Sequence, residues 1–384
     1  MINYIAADTL ITTKENRNFG IINFGDDNKY PNYSAIIAKN SAALKRCISV
    51  YTAFVYGLGM TTNSGFWKMP VNIYGLRVDQ FLRRIIGEYA AHKGFAFKVI
   101  YNGALEPTGF VPLDFECVRL TEPDDMGRVS KVKVCKDWTA KRIDAKKDIK
   151  EYDLFNPNFD VVLAQLEGAG GIDKWNGQVF YYGENGEVRY PHSMFHDVLE
   201  DTLSDIAIKK GKNANVHTNF MGSHLLQLPF TFAEMVDQIN KTNPDARTSA
   251  EILRSEFVEN LKKFQSAENQ GKIMMLENPL KDLNGNMIPF QLDKFEIQDY
   301  DKIFELTEKT IKENIRGSYQ QPAMLHEPVA TGFSTEIMQS YYNYYNIITA
   351  KDRQIFEEVF MTIFSNWRGS NASNDYSIKP LTYI

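Results

Sequence analysis

The chain has 384 residues, of which 43% are hydrophobic and 24% charged, and its formal net charge is −5. Such a balance buries a real core, at a length that makes two or three globular units, and it excludes a disordered chain. The basic residues are scattered within an acidic total, which excludes tight nucleic-acid binding through phosphate neutralisation.

The N-terminus, MINYIAADTLITTKENRN, lacks the basic and then apolar regions of a secretory signal. The stretch GDDNKYPNYSAIIAKNSAALKRCISVYTAFVYGLGM opens with a turn cluster from Gly25 to Pro31. It continues as one helix with Ile36, Ile37, Ala43, Leu44, Ile48, Tyr51 and Val55 at helical spacing, closed by Gly57 and Gly59. A second helix, Val78 to Ala91, places Phe81, Leu82, Ile85, Ile86 and Tyr89 on one face. Strands follow as FAFKVIYN, FVPLDFECVRL, VSKVKVCKDW and GQVFYYGENGEVRYP, the last folding back at Glu-Asn-Gly as a hairpin.

After Pro191 the pattern is more helical. HSMFHDVLEDTLSDIAIKKGKNANVHTNF reads as a helix of about five turns with Ser193 as a cap, acidic early and basic late. MGSHLLQLP is strand-like, Ala250 to Ser266 is helical, and GKIMMLE is a strand. Asp299 to Ile315 is amphipathic, with Gly317 as its stop.

A breaker-rich stretch, QQPAMLHEPVATGF, separates that helix from the next. From Ser334, a cap with Glu336 in the first turn, no proline or glycine occurs before Gly369, so about 34 residues read as one helix roughly 50 Å long. Its apolar residues are interrupted by TAKDRQ, a polar waist where a kink is expected. Tyr341, Tyr344, Tyr345 and Ile348 form a stripe suited to core or subunit packing rather than base stacking.

Little in the sequence nominates chemistry. His192 and His196 are four apart but lack a third ligand and the HExxH glutamate, so a surface or interface pair is expected rather than a metal site. GAGGID lacks the Lys-Ser/Thr of a phosphate loop, and GFSTE is not a nucleophile elbow. The carboxylates are dispersed, with no set suited to a two-metal nuclease. Cys47, Cys117 and Cys135 are far apart without a CxxC pair, the usage of a reducing compartment. The apolar stretch from Cys47 to Met60 is shorter than the roughly 20 residues of a membrane span. The expectation is a non-enzymatic chain with no cofactor, no metal and no membrane contact.

The order of segments resembles the portal proteins of tailed bacteriophages. The resemblance is carried by the N-x-Y-P turn, helix and Gly-x-Gly of GDDNKYPNYSAIIAKNSAALKRCISVYTAFVYGLGM, by HDVLEDTLSDIAIKK, by NQGKIMMLE, and by QQPAMLHEPVATGFSTEIMQSYYNYYN. It runs from about Gly25 to Trp367 and implies an α+β subunit with an α/β wing, a helical stem, a small α/β clip and a long kinked C-terminal helix. Residues 1–190 would be the N-terminal part of the wing, 191–215 the first stem helix, 216–297 the clip and 298–316 the second stem helix. Residues 317–333 would be a tunnel loop, 334–368 the long wing helix, and 369–384 a short tail with the crown absent or vestigial.

The resemblance further implies a homo-oligomeric ring of about twelve copies at one capsid vertex of the virion, assembled in the host cytoplasm. Double-stranded DNA would pass through with weak, non-specific contact. The partners would be the major capsid protein and scaffold, the terminase large subunit and a head-tail connector. In the loop, Gln320, Gln321, His326, Glu327 and Thr331 would line the constriction, Met324, Leu325 and Val329 would pack loop against loop, and Gly332 would serve the re-entry. Another virion component, or a metal-dependent DNA-processing enzyme, remains an alternative.

Overall fold

The computed structural model describes residues 14–61, 64–184, 190–217, 224–228, 231–242, 249–264, 273–277, 291–294, 300–326, 334–364, 367 and 375–383. The chain divides into two units, Met1–Asp205 with Thr310–Ile384, and Ile206–Lys309.

The first unit opens with a short antiparallel pair, β1 (Glu15–Asn16) and β2 (Ile21–Ile22). The helix expected after the Gly25 turn is two helices, α1 (Tyr30–Asn40) and α2 (Ala42–Tyr56). Ser41 breaks it because its side chain is used twice. Its Oγ accepts from the Leu44 N–H at 3.2 Å as a cap and donates to Asp205 Oδ2 at 2.6 Å, while its backbone turns extended. Gly57 ends α2 at φ 58, and a Cβ there would stand 2.0 Å from the Lys379 carbonyl oxygen. After α3 (Ser64–Lys68), α4 (Val78–His92) buries the whole apolar face that its spacing predicts.

A six-stranded sheet follows, built from β3 (Gly94–Tyr101), β4 (Pro107–Leu113), β5 (Val118–Leu120), β6 (Lys131–Cys135), β7 (Ile149–Leu154) and β8 (Gln178–Gly183). Its order is β4-β3-β8-β7-β6-β5. Every pair is antiparallel except β7 with β8, whose crossover holds α5 (Phe159–Ala169). The expected strand FVPLDFECVRL is two strands, parted by a 3-10 turn at Phe115–Cys117. The turn and most of the return arm of the expected Glu-Asn-Gly hairpin lie outside the described residues. β8 runs beside β3 along its length and beside β7 at its start, residues 185–189 lie outside the described residues, and Tyr190 is in no strand.

Strand periodicity sorts the side chains to two faces. Phe95 and Phe97 of β3 join Phe180 of β8 on one face, while Lys98 points to the other, with its Nζ 4.9 Å from the centre of the Tyr152 ring.

The chain then reaches a 3-10 turn, His196–Val198, and α6 (Leu199–His217). The helix thus starts later than the sequence predicts, and Ser193 does not cap it. Ser193 is buried, with its Oγ 2.6 Å from Ser34 Oγ and its N–H donating to the Tyr30 hydroxyl.

The division between the units falls within α6 and again within α9 (Tyr300–Ser318). The second unit holds β9 (His224–Leu228), α7 (Phe232–Thr242), α8 (Ala250–Phe264), β10 (Ile273–Glu277) and β11 (Gln291–Lys294). β9 is central, with β10 parallel and β11 antiparallel to it. The sequence reading missed α7, although its start carries a capping box: Thr231 Oγ1 accepts from the Glu234 N–H, and Glu234 Oε2 accepts from the Thr231 N–H.

The single helix expected from Ser334 is α10 (Thr335–Ile348) and α11 (Ala350–Phe364), parted at Thr349 inside the predicted waist. Ser334 does cap α10, accepting from the Ile337 N–H at 3.3 Å. The polar residues of the waist face inward: Thr349, Asp352 and Arg353 are buried. The Arg353 guanidinium donates to the Asn346 and Phe54 carbonyls and to Thr349 Oγ1, taking the carbonyl that an unbroken helix would use. Asp352 accepts from the Tyr51 hydroxyl at 2.5 Å and the Tyr89 hydroxyl at 3.0 Å, with Lys93 Nζ 3.7 Å away. Phe356, Phe360 and Phe364 of α11 pack on Phe95, Phe81 and Phe110, completing the aromatic core.

Candidate functional site

The breaker-rich stretch between α9 and α10 begins on a rigid base. α9 does not stop at Gly317, which is helical, but runs to Ser318. Gln320 stops it, taking a left-handed φ of 51. Its N–H donates to the Gly317 carbonyl and the Gln321 N–H to the Arg316 carbonyl, the paired bonds of a Schellman closure, and Pro322 follows. Gly317 can remain helical because the turn is built from the next residues' hydrogen bonds.

Gln321 then turns inward and is buried. Its amide nitrogen donates to the Cys47 carbonyl at 2.8 Å and the Tyr345 hydroxyl at 2.9 Å. Cys47 offers only an acceptor, so the amide nitrogen is fixed there and Oε1 faces His326 Nε2 at 2.5 Å. That ring nitrogen therefore carries a hydrogen. The Tyr345 hydroxyl donates onward to the Tyr319 carbonyl, and the Tyr319 hydroxyl to the Ala90 carbonyl. Residues from α2, α4 and α10 thus converge on this turn. Burial pushes the Cys47 thiol up to about 12 and raises the Tyr319 and Tyr345 hydroxyls above the usual phenol range. The node holds its neutral forms.

Of the residues expected to line a channel, Gln320 is exposed, whereas Gln321 and His326 are buried against their own unit. The hydrogen-bonding groups of those two are turned to one another, to Cys47 and to Tyr345. Met324 and Leu325 are half-buried in a 3-10 turn, Ala323–Leu325. Glu327, Val329, Thr331 and Gly332 lie outside the described residues. In the tyrosine stripe, Tyr345 is buried and Tyr341 and Ile348 half-buried, while Tyr344 is 51% exposed.

The N-x-Y-P turn forms a second node. Asn28 takes φ 61, and its Oδ1 accepts from the Phe24 N–H at 3.0 Å and Arg119 Nε at 2.5 Å. Arg119 is fully buried on β5. It also donates to the carbonyls of Asn28, Glu116 and Val118 and to Asn32 Oδ1, with Phe24 and Trp138 rings beside its guanidinium. Burial lowers its pKa to about 10, which leaves it charged at neutral pH. Nothing in the sequence marks Arg119 as the partner of this turn, since ninety-odd positions separate it from Asn28.

Tyr30 of the same motif reaches the start of the α6 segment. Its hydroxyl lies 3.1 Å from His196 Nδ1 and accepts from the Ser193 N–H. His192 and His196 stack with ring centres 5.0 Å apart, and burial lowers the His192 pKa. His196 is buried and His192 half-buried, so the pair is not an exposed one. Among the described residues no group of three or more His, Cys, Asp or Glu is placed to hold a metal ion, and no helix is long and apolar enough to cross a membrane.

No protein-family profile matches the chain, and no curated protein does. Among solved structures it is similar to a chain in the virion of a native gene transfer agent particle, at 12% identity over 90% of this chain and 83% of that one, with a TM-score of 0.46. A chain in the neck of the empty particle, computed with C6 symmetry, is 10% identical over 87% of this chain and 82% of its own, with a TM-score of 0.48. A HK97 family phage portal protein from Corynebacterium diphtheriae is 9% identical over 89% and 92% of the two chains, with a TM-score of 0.42.

Proposed function

We propose that the chain is the subunit of a phage portal ring, a channel for double-stranded DNA during packaging and ejection. The observation that carries this reading is the Gln321 node. It fixes the end of α9 and the start of the following stretch to α2, α4 and α10, so that residues 327–333 connect a rigid base to a capped helix. A short connector on a rigid base is the construction needed by an element that must touch a moving polymer without being carried along.

In this reading the first unit is the wing, α6 and α9 are the stem helices, and the unit between them holds the clip. The clip would meet the terminase large subunit and later the head-tail connector, and the wing the capsid and scaffold. Gln320, Glu327 and Thr331 approach the bore, with Met324, Leu325, Val329 and Gly332 shaping the loop. Gln321 and His326 are its anchor instead. A charge of −5 per copy, repeated around a ring, disfavours tight phosphate contact and leaves DNA free to slide.

The test is native mass spectrometry of the purified protein with negative-stain class averages. A closed ring with a central hole as wide as a DNA duplex supports the proposal. A monomer at all concentrations, with or without capsid and scaffold protein, overturns it.

A further inference from the structure

Cys117 and Cys135 have no CxxC spacing, yet the fold brings them together as free thiols. β5 and β6 are antiparallel, with Val118 opposite Val134 and Arg119 opposite Lys133. Carrying that register one residue past the start of β5 sets Cys117 opposite Cys135. Residues opposed across an antiparallel pair have Cα atoms about 4.5 to 5.5 Å apart, inside the window of about 4.4 to 6.8 Å that a disulfide spans. The two thiols are close enough to interact electrostatically with each other, and both do so with the Arg119 guanidinium. Cys47 sits apart, on α2 in the Gln321 node.

The backbone of both residues is held. The Cys117 N–H donates to the Asp114 carbonyl, and the Cys117 carbonyl accepts from Trp138 Nε1 at 2.8 Å. Arg119 Nη1 takes the carbonyls on either side, those of Glu116 and Val118. Cys135 is fixed from its other flank, where β6 pairs with β7 and Cys135 faces Ile149. The Cys117 thiol lies 3.5 Å from the Lys136 carbonyl and the Cys135 thiol 3.6 Å from the Asp137 carbonyl, so both meet the same short stretch after β6. What joining them requires is rotation about two Cα–Cβ bonds on a fixed backbone.

We propose that Cys117 and Cys135 are a redox pair, which closes into a disulfide across β5 and β6 when the chain meets a small-molecule disulfide as oxidant. Cys117 is the more exposed of the two and attacks first. Its sulfur forms a mixed disulfide with one half of the oxidant and releases the other half as a thiol. The Cys135 sulfur then displaces the remaining half. Two protein thiols and one disulfide thus become one protein disulfide and two free thiols, which carry away both protons.

Burial holds the Cys117 thiol up to about 12, with Asp114 and Glu116 pushing the same way, so little thiolate exists at neutral pH. The bond therefore forms slowly, as a latch set by prolonged exposure. It closes a loop that includes the Asp124–Arg128 turn and adds a covalent tie beside Arg119, which holds the Asn28 turn. The pair belongs to the first unit alone and is independent of the ring reading.

The experiment gives the folded full-length chain a prolonged incubation with glutathione disulfide at mildly alkaline pH, then denatures and alkylates it. The expected product has lost two hydrogen atoms, carries one alkylated cysteine, Cys47, and yields a peptide pair linked through Cys117 and Cys135. The same treatment of Cys135→Ser should stop at a glutathione adduct on Cys117. The oxidised chain should melt above its reduced form, by about 5 °C for a loop of this size. Three alkylatable cysteines after treatment, a linked pair that includes Cys47, or adducts without a linked peptide overturn the proposal. So does an oxidised form that melts below the reduced one, since the bond would then distort the native strands. The first arm uses the unsubstituted chain, so it decides the matter even where Cys135→Ser fails to fold.

Discussion

Arg353 Nη2 lies 2.5 Å from the carbonyl oxygen of Asn346, seven residues back along the chain, and stands in for the backbone N–H that a continuous helix would have supplied. A side chain thus satisfies the break between α10 and α11. Truncating it would leave the carbonyls of Asn346 and Phe54 buried without this donor. Arg353→Leu should lower stability by about 3 kcal/mol, read as a shift of the urea midpoint. An unchanged midpoint would mean that the two helices do not depend on this bond.

Asn28 holds two jobs, a left-handed backbone and an acceptor for Arg119. Asn28→Ala should cost about 3 kcal/mol, since it loses the acceptor and strains the φ. Asn28→Asp keeps both and gives the guanidinium a counter-charge, so its thermal midpoint should equal or exceed that of the unsubstituted chain. A midpoint for Asn28→Asp as low as that of the alanine variant would contradict the proposed role.

His92 is fully enclosed, and burial lowers its pKa from 6.5 to about 4. Between those values the unfolded chain binds the proton and the folded one does not, so the histidine costs stability as pH falls through the window, by about 3 kcal/mol in all. Glu88 on the same helix acts with the opposite sign. Burial raises its carboxyl from 4.5 to about 7, so it costs stability as pH rises across that range. The total for the unsubstituted chain is therefore shallow. His92→Gln removes one side of the balance, and its stability relative to the parent should improve between pH 7 and pH 4. Parallel stability curves for the two proteins would show that the histidine does not titrate in this window.

Gln320 closes α9 from a conformation that favours glycine. Gln320→Gly should raise stability by up to about 1 kcal/mol, and Gln320→Val should lower it by a similar amount or more. Thermal unfolding of the two variants reads this directly. If both fall together, the side chain matters more than the backbone.

Periodicity and breakers made most of the first unit's elements legible. The α4 stripe, the strand at Phe95, the Ser334 cap and a break near Thr349 are all local signals in a local pattern. What escaped was tertiary use of polar side chains. Ser193 looks like a cap but serves Ser34 and Tyr30, and Ser41 caps a helix where the pattern runs on without pause. Gly317 has the look of a stop, yet closure comes from hydrogen bonds of Gln320 and Gln321. Asp352 and Arg353 read only as part of a polar waist, because their partners, Tyr51, Tyr89 and Phe54, lie hundreds of positions away. No window of sequence holds both ends of such a contact.

The contact of Gly57 with Lys379 also has a bearing on synthesis. The Leu58 N–H donates to the Lys379 carbonyl and the Lys379 N–H to that of Gly59, while Ile378 is buried beside Met60. The first unit therefore cannot close until Lys379 has been synthesised, because the segment that seals its second helix lies more than three hundred residues further along the chain. The unit from Ile206 to Lys309 is translated earlier and has its full sequence while the other still waits. During that interval Phe81, Phe95 and Phe110 lack the rings that α11 lays against them.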